Sequence, residues 1–174
     1  PWLSRAAAWA ACAALDTPLD DWTRSDAEIA FRLLGTRGAH VVLWHGGAGP
    51  ELTWARQHAL ASEQQLCIPW RRGFPPSGEC ARQDWGRDAQ DLLRMLTGPT
   101  HVIAHSYGGV SALVAASSAP ERFASLTLIE PPLSFVAADD PAVRQLRQLA
   151  RAFIAGDRSA REAFLRLADR PLEH

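Results

Sequence analysis

The sequence runs Ala104-His105-Ser106-Tyr107-Gly108-Gly109 between an apolar, strand-like run at 100–104 and a nearly all-apolar, helix-like run at 108–118. A serine hydroxyl is a weak nucleophile. It needs an adjacent base and a position from which it can meet a carbonyl carbon. A sharp strand-to-helix turn supplies that position. Crowding of the backbone at such a turn demands small residues two places before and two places after the serine. Ala104 and Gly108 meet that demand, and Gly109 lets the helix pack closely. The first N–H groups of the helix, at its positive end, then face the space beside the hydroxyl. A tetrahedral oxyanion placed there gains about 3 kcal/mol from each donor.

The surrounding elements follow from periodicity and turn residues. Residues 20–24 and 28–34 alternate like two strands and end at the Gly35–Gly38 turn. Residues 40–47, His40 to Gly47, form a continuous apolar run stopped by glycines, the pattern of a strand buried on both faces of a parallel sheet. A short helix is expected over 51–63, a buried strand over 65–70, and an irregular loop over 71–78, where two prolines and two glycines fall together. Asp84 caps a helix that reaches Leu96, with Trp85, Ala89, Leu92, Leu93 and Leu96 at helical spacing. Strands over 100–104 and 125–130 enclose the helix at 108–118, and both read as buried. Alternating strand and helix imply an α/β fold, a mostly parallel sheet flanked by helices. Beyond Pro131-Pro132 lie two amphipathic helices and no strand. The first is capped by Asp140 with Pro141 at its first position and stopped by Gly156. The second runs from Asp157 to about Ala168. The expected organisation is an N-terminal helix or extension at 1–19, a core at 20–135, a helical segment at 136–171 and a tag-like remnant at 172–174.

Composition bounds what the chain can do. Of its 174 residues 47% are hydrophobic and 21% charged, which suits one folded domain with a real core. The formal net charge of −1 gives no overall attraction to nucleic acid or an anionic membrane. Every basic residue is Arg, so a Schiff-base lysine and a Walker-type phosphate loop are both excluded. Cys12, Cys67 and Cys80 fall in no ligand or disulfide pattern, and Cys67 reads as a small buried side chain. No metal, nucleotide or flavin motif is present, so no cofactor is expected. No apolar run is long enough for a membrane span. Residues 5–15 suit an amphipathic helix capped by Ser4 or, alternatively, the apolar region of a signal peptide, although no cleavage site follows. The expected location is cytoplasmic, or secreted if those residues are a signal remnant.

The segment 104–108 resembles the nucleophile elbow G-x-S-x-G of the α/β-hydrolase superfamily, with Ala104 at the first Gly position. Val41 to Pro50, VVLWHGGAGP, resembles that superfamily's His-Gly oxyanion segment. Trp70-Arg71-Arg72-Gly73-Phe74 is similar to its R-G-F loop, with Trp70 where an acidic residue is usual. Residues 120–132, PERFASLTLIEPP, resemble its helix-to-sixth-strand segment. The resemblance covers roughly 20–135, and the two helices beyond it resemble the start of a helical cap. It implies Ser106 as nucleophile and the backbone N–H groups of Gly47 and Tyr107 as oxyanion hole. A tight turn after a strand would call for glycine at 47 in any case. Relatives acting on epoxides and haloalkanes carry Asp at the elbow, so a serine implies an acyl substrate: ester, thioester, amide, lactone or a C–C bond. Perhydrolase chemistry uses the same groups.

The same resemblance implies the chain order Ser, acid, His. After Ser106 the sole histidine is His174; His40, His45, His58, His101 and His105 precede the nucleophile. His45 reads as structural, and the other four as packing or surface residues. Glu130, at the end of a strand on the active-site edge, stands where some relatives carry the acid, and a structural glutamate is the other reading. The expectation is therefore an incomplete hydrolase, a fragment with little activity alone, since a triad enzyme without its base loses about 10⁶ in turnover. A non-catalytic binding protein of the same fold, or a chain completed by a partner through its exposed sheet edge, are the alternatives. The partner expected in the first case is a small acyl substrate.

Overall fold

The computed structural model describes residues 23–24 and 29–168, and the expectations for 1–19 and 172–174, with Cys12 and His174, lie outside the described residues. Six strands form one sheet. They are β1 (Thr23–Arg24), β2 (Ala30–Leu34), β3 (His40–Trp44), β4 (Gln65–Pro69), β5 (Thr100–His105) and β6 (Phe123–Ile129), in the order β1-β2-β4-β3-β5-β6. β1 and β2 are antiparallel, β2 meets β4 antiparallel, and β4, β3, β5 and β6 run parallel.

Among the described residues the α-helices that flank this sheet are α1 (Gly49–Trp54), α2 (Trp85–Met95) and α3 (Tyr107–Ser118). Successive residues of β3 bury into opposite faces. Val42 and Trp44 join Ala89, Leu92, Leu96, Val102, Ala104, Ala112 and Ala115 in one core. Val41 and Leu43 join Trp54, Leu66 and Ile68 in the other. A strand covered on both sides has no polar face, which is why the sequence there reads as an unbroken apolar run. Asp84 caps α2 by accepting from the Arg87 N–H at 2.9 Å. The Trp44 indole, fully buried, donates to Ser111 Oγ at 2.9 Å and so ties β3 to α3.

Two expectations are corrected. The helix over 51–63 is α-helical only to Trp54; Ala55–Ser62 is a 3₁₀ segment with no buried residue. Without an apolar face to bury, nothing holds it to a full α ladder. The strand at 125–130 begins two residues earlier, at Phe123, and is not buried: Ala124, Ser125, Thr127 and Ile129 are exposed. β6 is the edge of the sheet, hydrogen-bonded only to β5 among the described residues. Phe123, Leu126 and Leu128 pack, partly buried, against the core, while the residues between them lie open.

The contacts divide the chain into two units between Pro132 and Leu133. The second contains α4 (Pro141–Ile154) and α5 (Arg158–Ala168), which pack on each other. Asp140 caps α4 by accepting from Ala142 N–H at 2.8 Å and Val143 N–H at 3.1 Å, with Pro141 in the first turn. Among the described residues no helix is long and apolar enough to cross a membrane.

Candidate active site

The topology brings the chemistry-bearing turns together. The connection from β3 leads to β4 on one side, and the connection from β4 crosses back to β5 on the other. The order of strand addition reverses between β3 and β5, which themselves run parallel, so a crevice opens at their carboxyl ends. Trp44 of β3 is level with Ala104 of β5, and His105 is level with Ile129 of β6. The residues that follow these strand ends are His45-Gly46-Gly47, Ser106 and Glu130.

Ser106 sits between β5 and α3 with φ 51° and ψ −125°. That is a conformation L-residues rarely hold, and the surrounding structure must over-determine it. Its N–H donates to the Ile129 carbonyl at 2.8 Å, and its own carbonyl accepts from the Gly109 N–H at 2.8 Å. The small residues around it are required by space. A Cβ on Gly108 would stand 2.4 Å from the His45 carbonyl oxygen and 2.9 Å from that of Trp44, and Ala104 is fully buried. Gly109 faces Pro131, whose Cβ would be 3.0 Å from an added methyl. Ser106 is half-buried, and among the described residues its hydroxyl makes no hydrogen bond.

The His-Gly bend lies directly against this serine. A Cβ on Gly46 would meet Ser106 Cβ at 2.8 Å and the His105 carbonyl oxygen at 3.0 Å. Gly47, by contrast, is exposed, has no positive φ, and would meet nothing within 4 Å on gaining a Cβ. The expectation that the turn itself calls for glycine at 47 is therefore wrong: close approach to the serine places that demand on Gly46. Tyr107 opens α3, so its N–H has no acceptor within the helix.

His45 is fully buried and both its nitrogens are engaged. Nε2 accepts from the Arg71 N–H at 2.9 Å, which fixes the proton on Nδ1, and Nδ1 donates to the Gly46 carbonyl at 2.7 Å. Burial, reinforced by the Arg71 charge, pushes its pKa down to about 3, so it is a neutral structural imidazole. His105 lies beside the bend with Nδ1 buried and unpartnered among the described residues. Its Nε2 is 3.9 Å from Glu130 Oε2. His101 Nδ1 shares a hydrogen bond with Ser125 Oγ at 2.8 Å, and His58 lies on the 3₁₀ segment. None of the described histidines hydrogen-bonds the Ser106 hydroxyl. Glu130 follows β6 with φ 49° and an exposed carboxylate. Among the described residues no group of three or more His, Cys, Asp or Glu side chains is arranged to hold a metal ion.

Sequence reasoning read Arg71 only as part of a loop and missed its setting. The side chain is 1% exposed. Its Nε donates to the His45 carbonyl at 2.8 Å, its Nη2 to the Gly46 carbonyl at 3.2 Å, and its Nη1 to Gln83 Oε1 at 2.8 Å and to Asp88 Oδ2 at 2.5 Å. Its guanidinium carbon stands 4.5 Å from the centre of the Tyr107 ring and 5.2 Å from that of Phe74. Burial raises the Asp88 carboxyl above its usual range, and the Arg71 charge opposes that shift. The Tyr107 phenol is pushed up to about 12, by burial first and the Asp88 charge second. A signal was present in the sequence. Asp88 and Asp91 fall on the same helical face as Ala89 and Leu92, and charges on a core-facing stripe require partners. Arg72 supplies the second, meeting Asp91 through two bonds of 3.0 Å.

Comparison with known proteins adds the lineage. The profile of the Alpha/beta hydrolase family matches residues 41–173. The dihydrolipoyllysine-residue acetyltransferase component of the acetoin cleaving system of Pseudomonas putida is 35% identical over 108 residues, covering 57% of this chain and 28% of that protein. The crystal structure of an alpha/beta hydrolase from Sphaerobacter thermophilus superposes with a TM-score of 0.61 at 24% identity, over 83% of this chain and 59% of the other. An esterase from a marine microorganism gives 0.57 at 19% identity, over 86% and 60%. The chain thus spans less than two thirds of the length of each.

Proposed function

The chain belongs to the α/β-hydrolase family, and from that premise we propose that Ser106 is the nucleophile of a serine hydrolase acting on an ester-like acyl carbonyl. The observation that carries this reading is the positive φ of Ser106 at a strand–helix junction, with the His-Gly bend packed against its Cβ. The Ser106 oxygen attacks the carbonyl carbon and its proton passes to a base. The oxyanion is held by the N–H groups of Gly47 and Tyr107. Collapse of the tetrahedral species expels the protonated leaving group and leaves an acyl-serine, which water then cleaves by the same steps.

We place the base outside the described histidines, because none of them hydrogen-bonds the Ser106 hydroxyl. In the family's chain order it follows the acid, on the part of the fold beyond β6. Glu130 is the candidate acid, because its exposed carboxylate stands at the end of the strand beside β5. These 174 residues alone then turn over substrate very slowly, and the edge of β6, paired with β5 alone among the described residues, is where further strands, or a second copy of the chain, would add. Acylation of a serine is also the first half of acyl transfer to an acceptor other than water. The curated relative is named as an acetyltransferase component, so an alcohol or thiol acceptor belongs in the assay.

The test is hydrolysis of short-chain aryl esters, with and without added acceptor, by the 174-residue chain and by the product of the whole gene, each beside Ser106→Ala. Turnover by the whole product that Ser106→Ala abolishes supports the reading; Glu130→Gln checks the acid. The unbonded Ser106 hydroxyl favours one other reading, a binding protein that keeps the fold without the chemistry. Failure of the whole product to react with a fluorophosphonate at Ser106 would establish that one instead.

A further inference from the structure

We propose that Arg71 is a positioning residue for the oxyanion hole, holding and polarising the peptide that presents the Gly47 N–H; this rests on the reading of Ser106 and its donors given above. The Gly46 carbonyl and the Gly47 N–H belong to one planar trans peptide unit, so they point in opposite directions. The carbonyl end is pinned inward by Arg71 Nη2 at 3.2 Å and by His45 Nδ1 at 2.7 Å. Gly46 is buried and Gly47 is exposed, so pinning the oxygen inward turns the N–H outward.

Two further bonds remove the remaining freedom of the bend. Arg71 Nε holds the preceding carbonyl, that of His45, at 2.8 Å, and the Arg71 backbone N–H sets the tautomer of His45 at 2.9 Å. A carbonyl that accepts from a cation polarises its own amide, which makes the N–H at the other end a stronger donor. The same guanidinium packs over the ring of Tyr107, the residue carrying the second donor. One buried side chain therefore reaches both halves of the hole. Asp88 and Gln83 hold its far side.

Stability alone does not demand such an arrangement. A well-packed apolar pair of similar volume is often as stable as a buried ion pair. Nor would lysine reproduce it, because a single ammonium cannot span two successive carbonyls and a carboxylate in the fixed fork of a guanidinium.

The test uses the product of the whole gene and compares Arg71→Met/Asp88→Leu, Arg71→Lys and Ser106→Ala. The double variant leaves no unpaired buried charge but strands the buried His45 carbonyl, so a folded protein with a melting temperature a few degrees below that of the parent is expected. If Arg71 positions the donor, the double variant loses about tenfold to hundredfold in kcat on an aryl ester with KM within about threefold. Affinity for phenylboronic acid, whose tetrahedral serine adduct places an oxygen in the hole, falls in parallel. Arg71→Lys keeps the charge and falls about tenfold. A purely structural role predicts instead that the folded double variant keeps parent kcat and boronate affinity, and values within about twofold overturn the proposal. Should the double variant not fold, parent-like kcat in Arg71→Lys overturns it equally. Turnover retained by Ser106→Ala is a different failure: it removes the serine reading itself, whatever the Arg71 variants do.

Discussion

Replacing Ser106 by glycine should make the protein more stable while removing its proposed chemistry. The backbone there, φ 51° and ψ −125°, is open to glycine without a Cβ penalty and strained for serine by about 1–3 kcal/mol. Little is lost in exchange. The hydroxyl makes no hydrogen bond among the described residues, and the side chain is only half-buried, so its removal forfeits a few tenths of the roughly 0.8 kcal/mol given by a fully buried methylene. Glycine also frees the unfolded chain, which subtracts about 0.4–1 kcal/mol. The expected net gain is about 1 kcal/mol, near 2–4 °C in Tm for a chain of this length. Urea unfolding measures it, with the midpoint rising and the slope unchanged. Ser106→Ala is the control, because it keeps Cβ in the same backbone and should stay within about 0.5 kcal/mol of the parent. If the glycine variant is no more stable than the alanine variant, the strained turn does not exist in solution, and the presentation of Ser106 as a nucleophile fails with it.

Acid should destabilise the fold through His45. Its folded pKa, about 3, lies below the ordinary value of 6.5, so the unfolded chain takes up the proton first. The stability it contributes is complete above pH 6.5 and declines as pH falls toward 3, by about 2 kcal/mol at pH 5. Urea melts of His45→Gln from pH 8 to pH 5 should decline less than those of the parent by about that amount, and equal decline would place the acid sensitivity elsewhere. Ser111→Ala should cost about 1–3 kcal/mol, because it strands the buried Trp44 indole N–H. Pairing it with Trp44→Phe should recover part of that loss in the same melts, and strict additivity would mean that the bond contributes nothing.

Much of the frame was legible because local rules and packing agree there. The unbroken apolar runs of β3 and β5 announce strands covered on both faces or on one crowded face, and Asp84 and Asp140 cap the helices they precede. The small residues at 104 and 108 could be read as a crowded turn because steric exclusion depends on residue size alone. Three features were not legible. Of the adjacent glycines 46 and 47, only the position of the Ser106 Cβ shows which one space demands. The apolar residues of β6 look like those of any core strand; what covers a strand is not written in its own sequence. The Arg71–Asp88 contact joins a loop to a helix, and two arginines stand in a row beside two aspartates one helical turn apart. Charge pattern alone leaves both pairings open.

The strain at Ser106 and the clamp at Arg71 belong to one arrangement. A serine in an unfavourable backbone conformation persists only if neighbouring bonds hold it, and the bonds that do so come from different strands. Ile129 of β6 accepts its N–H, and the level register of β3 with β5 brings the His-Gly bend against its Cβ. That bend would be free to tilt away, relieving the crowding and moving the Gly47 amide, were its two carbonyls not tied to a guanidinium that is itself held by Asp88. Loosening the clamp should therefore let the turn relax as well. In Arg71→Met/Asp88→Leu the gain from Ser106→Gly should shrink below the roughly 1 kcal/mol expected in the parent. Urea unfolding of the four proteins in that cycle decides the point, and an unchanged gain would mean that strain and clamp are independent.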